Sequence, residues 1–371
     1  MPCRVVHLTS VHPPFDVRIF HKECKSLAVG GYDVTLIAPR AEGDVIRDGV
    51  KVCAVPVPRD RRERMTRTIW QVYEAAVREK AEIYHFHDPE LIPVGVLLGM
   101  RGRRVIYDVH EDYTSTVYEK QWIPALLRRP SSAAVRACEF ASTAAFDRII
   151  AATPTIAWRF RPSKTRLVQN FPRTDEFSFS DHSPYEKREA IAVYVGGLGD
   201  SKGLREMGQA IALASKKIPV KLVIAGKVIS GARAEFESDR GNPLIERKGQ
   251  LERAQVGELL ARAKVGLVLF HPIGNHVNGQ PNKMFEYMAA GLPVVASDFP
   301  LWRKIITTAE CGLLADPLNP AAIAEALVWL LRHPARAAQM GRNGRRAVAE
   351  HYNWERESKS LFATYAELQS I

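Results

Sequence analysis

One segment of the chain, Pro281–Asp298, carries residue types that suit a phosphorylated ligand. Pro281 suits the first turn of a helix, and the free N–H groups and dipole at such a helix end attract phosphate. The loop before it, His271–Gln280, has no clear period and is predicted to be irregular. Glu286 follows just over one turn later and can accept hydrogen bonds from hydroxyl groups, such as those of a ribose. The spacing fits an amphipathic surface helix with a solvated glutamate as well, so both interpretations stay open.

The same segment predicts how this helix is oriented and where it ends. Met284 and Met288 are four residues apart and form one apolar side, whereas Asn282 and Glu286 lie on roughly the opposite side. Gly291 suits the left-handed residue that follows many helices, and a proline two residues later prevents continuation. A short buried strand is predicted next.

A second candidate phosphate site is the glycine loop, residues 196–203, with the sequence GGLGDSKG. Glycines after a strand let the backbone approach a phosphate closely. The loop is not a Walker motif, because Lys202 precedes its glycine, and it is not a dinucleotide fingerprint, because Gly197 and Gly199 are not followed by glycine at position 202. A tight turn with a solvated lysine is the alternative.

Polar residues also follow three predicted strands in the N-terminal half. The candidates for contacts with a substrate are Asp16, Arg18, His87, Asp88, His110 and Asp112. Asp16 and Arg18 form either a structural pair or a substrate contact. The histidines and aspartates at positions 87, 88, 110 and 112 could be imagined as metal ligands. Strand-end polar residues often only cap loops, however, and this region has no Asp-x-Asp pair, so no metal is predicted. His85 is expected to be a core or sheet residue.

Alternating strands and helices would position these candidates. The predicted strands are Val5–Leu8, Val34–Ala38, Val52–Val57, Ile83–Phe86, Val105–Tyr107, Ile149–Ala152, Ile191–Val195, Val220–Ala225, Val265–Phe270 and Val294–Ala296. The predicted helices are Ile19–Ala28, Arg67–Lys80, Leu204–Ser215, Leu251–Ala263, Pro281–Ala290, Pro320–Arg332 and Trp354–Leu368. This alternation indicates an α/β fold with parallel sheets covered on both faces, which bind ligands at the carboxyl ends of their strands.

The alternation is interrupted once, which predicts two doubly wound domains. Residues 171–189 contain two prolines and a polar cluster without a period, and they are predicted to be a linker. We therefore expect an N-terminal domain over 1–170, a C-terminal domain over 190–350 and a closing helical segment over 351–371.

The composition is that of a globular protein with a basic surface. Of 371 residues, 46% are hydrophobic and 25% charged, and 52 basic against 41 acidic residues give a net charge of +11. This charge favours anionic partners. Five scattered cysteines without CxxC spacing indicate a reducing compartment, and all five are expected to be small buried residues. Neither a membrane span nor a signal peptide is predicted, so we expect a cytoplasmic protein.

The segment Pro281–Asp298 and the glycine loop resemble motifs of glycosyltransferase family 4. Members of this family retain the anomeric configuration and have the GT-B fold. The helix segment matches the second glutamate of the family at Glu286, followed by AAGLPVV over 289–295. This match implies that Glu286 binds the ribose of the donor. The first glutamate of the family pattern, eight positions earlier, is replaced by Asn278, which could still hydrogen-bond a sugar hydroxyl.

The resemblance also assigns roles elsewhere. Lys202 matches the lysine that neutralises the donor diphosphate, whereas Gly197 stands where the family has an arginine; Arg205 is a candidate substitute. His110 matches the strand-end histidine beside the donor sugar, and the candidates on the acceptor side are Asp16, Arg18, His87, Asp88 and Asp112. The first-strand loop resembles a subgroup with His-Pro-Pro-x-Asp-x-Arg-Ile-Phe. The implied catalytic residues are His110, Lys202 and Glu286, and the implied donor-binding residues are Gly197, Gly199, Lys202, Asn278, Pro281, Asn282, Lys283 and Glu286.

The function implied by this resemblance is transfer of a sugar from a UDP- or GDP-linked donor to an acceptor hydroxyl, without a cofactor or a metal. Two Rossmann-like domains would face each other across a cleft, and the last helix would cross back to the first domain. A lipid-linked or saccharide acceptor implies a role in cell-surface polysaccharide or glycolipid synthesis. The arginines over 59–67 and the stretch Trp122–Arg129 would suit peripheral contact with the inner face of an anionic membrane, or would simply be solvated.

Three other functions are consistent with parts of the sequence. A sugar-nucleotide epimerase can share this architecture. A non-catalytic binding subunit would fit the replacements at Gly197 and Asn278. Binding of nucleic acid would fit the charge, but no recognised binding motif accompanies it, so we expect no nucleic-acid partner.

Overall fold

The computed structural model describes residues 2–114, 124–176, 184–228 and 242–370. It divides into two compact units, one of residues 1–170 with 354–371 and one of residues 171–353. The helix Trp354–Gln369 therefore belongs to the first unit, although it follows the second in sequence. Parts of two predicted features lie outside the described residues. They are Trp122 and Ile123 of the apolar and basic stretch, and residues 177–183 of the predicted linker.

The first unit is built on an eight-stranded sheet with the order β3-β4-β2-β1-β5-β6-β7-β8. Its strands are β1 Arg4–Leu8, β2 Asp33–Pro39, β3 Val45–Arg47, β4 Val50–Val55, β5 Ile83–Phe86, β6 Arg104–Val109, β7 Arg148–Ala151 and β8 Thr165–Leu167. Its α-helices are Lys25–Val29, Arg61–Glu63, Ile69–Glu79, Ile92–Met100, Ala125–Ser142, Pro154–Ala157 and Trp354–Gln369, with π-helical turns at Ile19–Cys24 and Arg64–Thr68 and 3₁₀ turns at Pro89–Leu91 and Thr143–Ala145.

Neighbouring residues of the central strands face two different cores. Val5 of β1 packs in one core with Trp354 and Leu361 of the last helix, whereas Val6 packs in the other with Val94 of the helix Ile92–Met100. This is the arrangement that continuous apolar strands predict for a sheet covered on both faces.

The strand β3 is the exception to the predicted parallel order. It pairs antiparallel with β4 through a two-residue turn, in which Asp48 has φ 51° and Gly49 has φ 77°. Positive φ at both central residues is the type I′ geometry that joins hairpin strands, and Asp-Gly suits it. The sequence does not predict this hairpin, because β3 is short and mostly exposed.

The second unit has a six-stranded parallel sheet with the order β11-β10-β9-β12-β13-β14. Its strands are β9 Ile191–Val195, β10 Lys221–Ala225, β11 Ile245–Gly249, β12 Val265–Val268, β13 Val294–Ser297 and β14 Gly312–Ala315. Its α-helices are Leu204–Ser215, Arg253–Arg262, Gly274–Asn278, Asn282–Ala289, Pro300–Ala309, Pro320–Arg332 and Pro334–Glu350, with 3₁₀ turns at Tyr185–Lys187 and Asp200–Lys202. Phe171, which the sequence placed in the linker, is buried here against Phe285 and Tyr352.

The helices and the cysteines can also be compared with the predictions from the sequence. No helix among the described residues is long and apolar enough to cross a membrane. The five cysteines are free, but only Cys24 and Cys311 are buried. Cys138 is exposed, so the expectation that all five are buried is wrong. Its helix, Ala125–Ser142, buries only Ser132 and Glu139 and leaves most of its length at the surface.

Candidate functional site

The helix Asn282–Ala289 lies inside the second unit and not on its surface. All residues from Met284 to Ala289 are buried, and Glu286 is only 9% exposed. The interpretation of an amphipathic surface helix is therefore wrong. The helix packs against β12 on one side and the helix Pro334–Glu350 on another, which leaves no solvated face.

The start of this helix differs from the prediction by one position. Pro281 is the residue before the first helical turn, with an extended ψ of 122°, so it does not occupy the first turn as expected. The preceding stretch is also more regular than predicted, because residues Gly274–Asn278 form a short helix. Asn278 is the last residue of that helix and is exposed, and Asn282 is partly buried at the start of the next.

The glycine loop connects β9 to the helix Leu204–Ser215 and comes close to the helix Asn282–Ala289. Gly196 has φ 133°, and a Cβ at this position would lie 2.6 Å from Nζ of Lys283. Gly203 has φ 72°, and a Cβ there would lie 2.0 Å from the carbonyl oxygen of Leu269. Both positions thus require glycine. Gly197 accepts a hydrogen bond through its carbonyl from the hydroxyl of Tyr194, at 2.8 Å. At Gly199 a Cβ would have room, since the nearest atom is 3.9 Å away.

Two lysine ammonium groups are gathered beside this loop. Lys202 Nζ lies 2.7 Å from Nε2 of His276 and 4.1 Å from the ring centre of Phe270. Lys283 Nζ lies 5.0 Å from the same ring and 3.7 Å from the ring centre of Tyr194. The structure therefore places Lys202 and Lys283, which are 81 residues apart, around one aromatic ring.

Burial and neighbouring positive charge shift the pKa values of Lys283 and His276. Burial, with the charge of Lys202, lowers the pKa of Lys283 well below its usual value. The same two causes lower the pKa of His276 to about 4. His276 is thus neutral near pH 7, with Nδ1 donating to the carbonyl of His271 and Nε2 accepting from Lys202.

Glu286 is held by an arginine that the sequence analysis did not identify. Arg253 Nη1 donates to Glu286 Oε1 at 2.9 Å, and Arg253 Nε donates to Glu176 Oε1 at the same distance. These three residues are far apart in sequence, and no spacing pattern connects Arg253 to Glu286. Arg205, suggested as a substitute for the family arginine, is exposed.

In the first unit, three of the predicted candidates contact the carboxylate of Asp108, and Asp88 has other partners. Asp108 accepts from Arg18 Nε and Nη2 at 3.0 and 2.8 Å, from His110 Nε2 at 2.8 Å, and lies 3.1 Å from His87 Nδ1. Asp88 instead accepts from the hydroxyl of Thr9 at 2.8 Å and the N–H of Ser10 at 2.6 Å.

The remaining two candidates have structural contacts. Asp16 accepts from the backbone N–H of Arg18 at 2.8 Å and of Ile19 at 3.0 Å, so it caps the following turn and does not pair with the Arg18 guanidinium. Asp112 forms an ion pair with Arg159 at 2.7 Å and accepts from the hydroxyl of Thr114 at 2.5 Å. The imagined set of positions 87, 88, 110 and 112 is therefore not brought together.

The cluster around Asp108 extends into the sheet. His85 is buried, as expected, and His7 and Glu23 join it, although the sequence analysis singled out neither residue. Burial lowers the pKa of His7 and His85 well below the usual value and that of His87 to about 4. Burial would raise the pKa of Asp108, but the charge of Arg18 holds it well below its usual value.

Comparison with known families covers both units. A model described as "Glycosyl transferase 4-like domain" matches residues 17–169, and one described as "Glycosyl transferases group 1" matches residues 175–347. The chain belongs to the group 1 glycosyltransferases. Two Rossmann-like units with parallel sheets are the GT-B fold of this family.

Two proteins with similar sequences are also named as glycosyltransferases. Phosphatidyl-myo-inositol mannosyltransferase of Mycobacterium leprae is 32% identical over 149 residues, which span 39% of this chain and 37% of that protein. D-rhamnosyltransferase WbpZ of Pseudomonas aeruginosa is 25% identical over 285 residues, 74% of this chain and 70% of that protein.

Solved structures of other proteins share the fold. Sucrose-phosphate synthase of Thermosynechococcus elongatus has a TM-score of 0.77 at 18% identity, over 99% of both chains. Anabaena HepE, solved in complex with UDP, has a TM-score of 0.72 at 12% identity, over 99% of this group 1 glycosyltransferase and 100% of HepE.

Proposed function

We propose that the second unit binds a nucleotide-sugar donor by its diphosphate and ribose. The observation that carries this proposal is the gathering of the Lys202 and Lys283 ammonium groups beside the glycine loop. Two like charges around one ring are costly by themselves, and a diphosphate would offset that cost. The helix Asn282–Ala289 begins at the same place and adds N–H donors to such a site.

Glu286 supplies the second part of the proposed donor site. Its Oε1 is oriented by Arg253, which leaves Oε2 as the acceptor for a ribose hydroxyl. HepE was solved in complex with UDP, and this supports a UDP- or GDP-linked donor here. Asn278 is exposed beside the site and is proposed to contact the sugar.

We propose that the sugar moves to an acceptor hydroxyl with its anomeric configuration retained. The bond between C1 and the phosphate oxygen breaks, a bond from C1 to the acceptor oxygen forms on the same face, and the acceptor proton passes to the departing phosphate. Lys202 and Lys283 would stabilise the charge that develops on this phosphate, so the donor diphosphate needs no metal. His110 is the proposed contact of the first unit to sugar or acceptor.

The names of the two curated relatives suggest the acceptor class. One acts on a phosphatidyl-inositol lipid and the other is a rhamnosyltransferase, which supports a lipid-linked or saccharide acceptor in surface polysaccharide or glycolipid synthesis. The helix Ala125–Ser142 exposes Leu126 (92%) and Leu127 (54%) next to Arg128 and Arg129. Apolar and basic residues in this combination suit peripheral binding to an anionic, cytoplasmic membrane face.

A thermal-shift screen against UDP, GDP, ADP and their sugars tests the donor site. One nucleotide should raise the melting temperature of the wild type, and Lys202→Ala should reduce that shift. If no nucleotide raises it, the donor-site assignment is wrong. With the donor identified, NMR of the product gives the anomeric configuration. Conversion of the donor to an isomeric nucleotide sugar without acceptor would instead indicate an epimerase.

A further inference from the structure

Three histidines and one glutamate meet in the interior of the first unit. His7 lies on β1 and pairs in register with His85 on β5, His87 directly follows β5, and Glu23 belongs to the π-helical turn Ile19–Cys24. All four side chains are completely buried. The proposed sugar transfer uses none of His7, Glu23 or His85, so this cluster needs an explanation of its own.

The donor atoms are spaced as ligands of one ion. His7 Nδ1 lies 2.9 Å from His87 Nε2, and Glu23 Oε2 lies 3.9 Å from the first and 4.0 Å from the second. Nitrogen and oxygen ligands about 2.1 Å from a tetrahedral zinc ion are about 3.4 Å apart. The three observed distances fall on both sides of that value. The two carboxylate distances are too long for hydrogen bonds, whereas the 2.9 Å between the two histidine nitrogen atoms is also the length of a hydrogen bond.

The cluster also contains buried polar atoms that the protein leaves unsatisfied. Among the described residues, Glu23 Oε1, Glu23 Oε2 and His85 Nε2 have no hydrogen-bond partner. Buried polar atoms normally have one, because an unsatisfied carboxylate is costly. Arg18 Nε lies 3.0 Å from Glu23 Oε1 but makes its aligned hydrogen bonds to Asp108. One guanidinium thus faces two buried carboxyl groups, and Glu23 Oε2 has no aligned partner.

The surrounding hydrogen bonds allow a proton arrangement in which both ligand nitrogen atoms are unprotonated. His87 Nδ1 donates to Asp108 Oδ2 at 3.1 Å, which leaves Nε2 without a proton. In this arrangement His7 Nε2 donates to the Tyr365 oxygen at 3.1 Å, which leaves Nδ1 without a proton, and the Tyr365 hydroxyl donates to His85 Nδ1 at 2.8 Å. A carboxylate or hydroxyl behind each ligating histidine is the usual second layer of a metal site.

We propose that His7 Nδ1, His87 Nε2 and Glu23 Oε2 bind one divalent transition-metal ion, of which Zn²⁺ is the best match. Two imidazoles and one carboxylate suit zinc, and the ion would give the Glu23 carboxylate the partner that it lacks. It would join β1, the end of β5 and the turn Ile19–Cys24, with Tyr365 linking the last helix to the site. The role inferred is structural, separate from the donor phosphates.

Metal analysis of the nucleotide-free, untagged protein tests this site. Inductively coupled plasma mass spectrometry should find about one zinc per chain after expression with added zinc, and Co²⁺ substitution should give the visible absorption of a tetrahedral nitrogen and oxygen site. Removal by a chelator should lower the melting temperature. The proposal is overturned if the wild type holds less than about one tenth of an ion per chain both as purified and after incubation with Zn²⁺ or Co²⁺.

Variants identify the ligands. Glu23→Gln and His87→Gln should each reduce the metal content at least tenfold, about 1.4 kcal/mol or more in affinity. The control His110→Gln keeps the metal, because His110 binds the same Asp108 but is outside the ligand set. Equal loss in this control would overturn the assignment in favour of His87, Asp108 and His110. If the ligand variants fail to fold, the wild-type metal content and cobalt spectrum still decide the question.

Discussion

The two units arrange charge in opposite ways. In the first, Arg18 is buried between Asp108 and Glu23, and four histidines surround the carboxylates. In the second, Lys202 and Lys283 share one aromatic ring, and burial together with the charge of Lys202 lowers the pKa values of Lys283 and His276. The first arrangement brings opposite charges together inside the protein, whereas the second brings like charges together beside a glycine loop.

This difference predicts which charged residues serve folding and which serve the proposed ligand. Opposite charges that are buried together depend on each other, and removing one leaves the other desolvated. Like charges that are held together lose little when one is removed, and their arrangement suits the binding of an anion. Substitutions in the first unit should therefore change stability most, and those in the second should change binding most.

The largest expected effect is that of Asp108→Asn. The variant leaves the buried Arg18 without its bidentate partner, so the free energy of unfolding should fall by about 3–5 kcal/mol. Urea unfolding followed by circular dichroism measures the change. The control is Asp33→Asn, whose partner Arg4 is about half exposed and whose loss should cost about 1 kcal/mol or less. Similar losses in both variants would contradict the comparison.

Next in size are Lys202→Ala and Lys283→Ala. Each removes a charge-assisted contact to the proposed diphosphate, so the Kd of the nucleotide should rise by about 10- to 100-fold, or roughly 1.5–3 kcal/mol. Titration calorimetry gives the Kd. Lys283→Ala should leave stability unchanged or improve it, because it removes a charge that burial disfavours.

The matched control for these lysines is Lys217→Ala, an exposed position of the same unit. It should leave the Kd nearly unchanged. A large loss of stability in Lys283→Ala, with an unchanged Kd, would assign this lysine to folding and remove the contrast between the units.

The sequence predicted the elements best where local signals decide them. The helices Leu204–Ser215 and Pro320–Arg332 and the strand Ile83–Phe86 have the predicted bounds, because periodicity, a flanking glycine or proline and apolar runs act within a few residues. The strand β14, Gly312–Ala315, was not predicted, although it contains a short apolar run.

The candidate sites show the same limit. The family resemblance pointed to Lys202 and Glu286, which lie in short motifs. Nothing local connects Arg253 to Glu286 or Phe270 to both lysines, because strands that are distant in sequence bring them together. In the first unit, the sequence shows that the loops after β5 and β6 are polar. It does not show which aspartate contacts both His87 and His110, and in the structure this residue is Asp108.

A smaller effect is expected for Arg253→Ala. This change frees Glu286 from its orienting partner, so the nucleotide Kd should rise by about fivefold, or roughly 1 kcal/mol. The preference for UDP over 2′-deoxy-UDP should shrink as well, since the proposed ribose contact is the one disturbed. Arg262→Ala, at the other end of the same helix and paired with Glu189 at the surface, is the control. Tighter nucleotide binding in Arg253→Ala would show that the arginine competes with the ribose.

The smallest effect is a change in bound protons when the nucleotide binds. In the free protein, the pKa of Lys283 is well below its usual value and that of His276 is about 4, so near neutral pH His276 is unprotonated and the protonation of Lys283 is weakened. A diphosphate favours the protonated forms and raises both pKa values. Binding should therefore take up a fraction of a proton, and affinity should fall as the pH rises from neutral through the pKa of Lys283 in the complex. Calorimetry in buffers with different ionisation enthalpies measures this uptake, and Lys283→Ala should reduce it. Proton release, or an uptake that is unchanged in the variant, would mean that the phosphates lie away from the two lysines. The like charges of the second unit would then need a ligand other than a diphosphate to explain them.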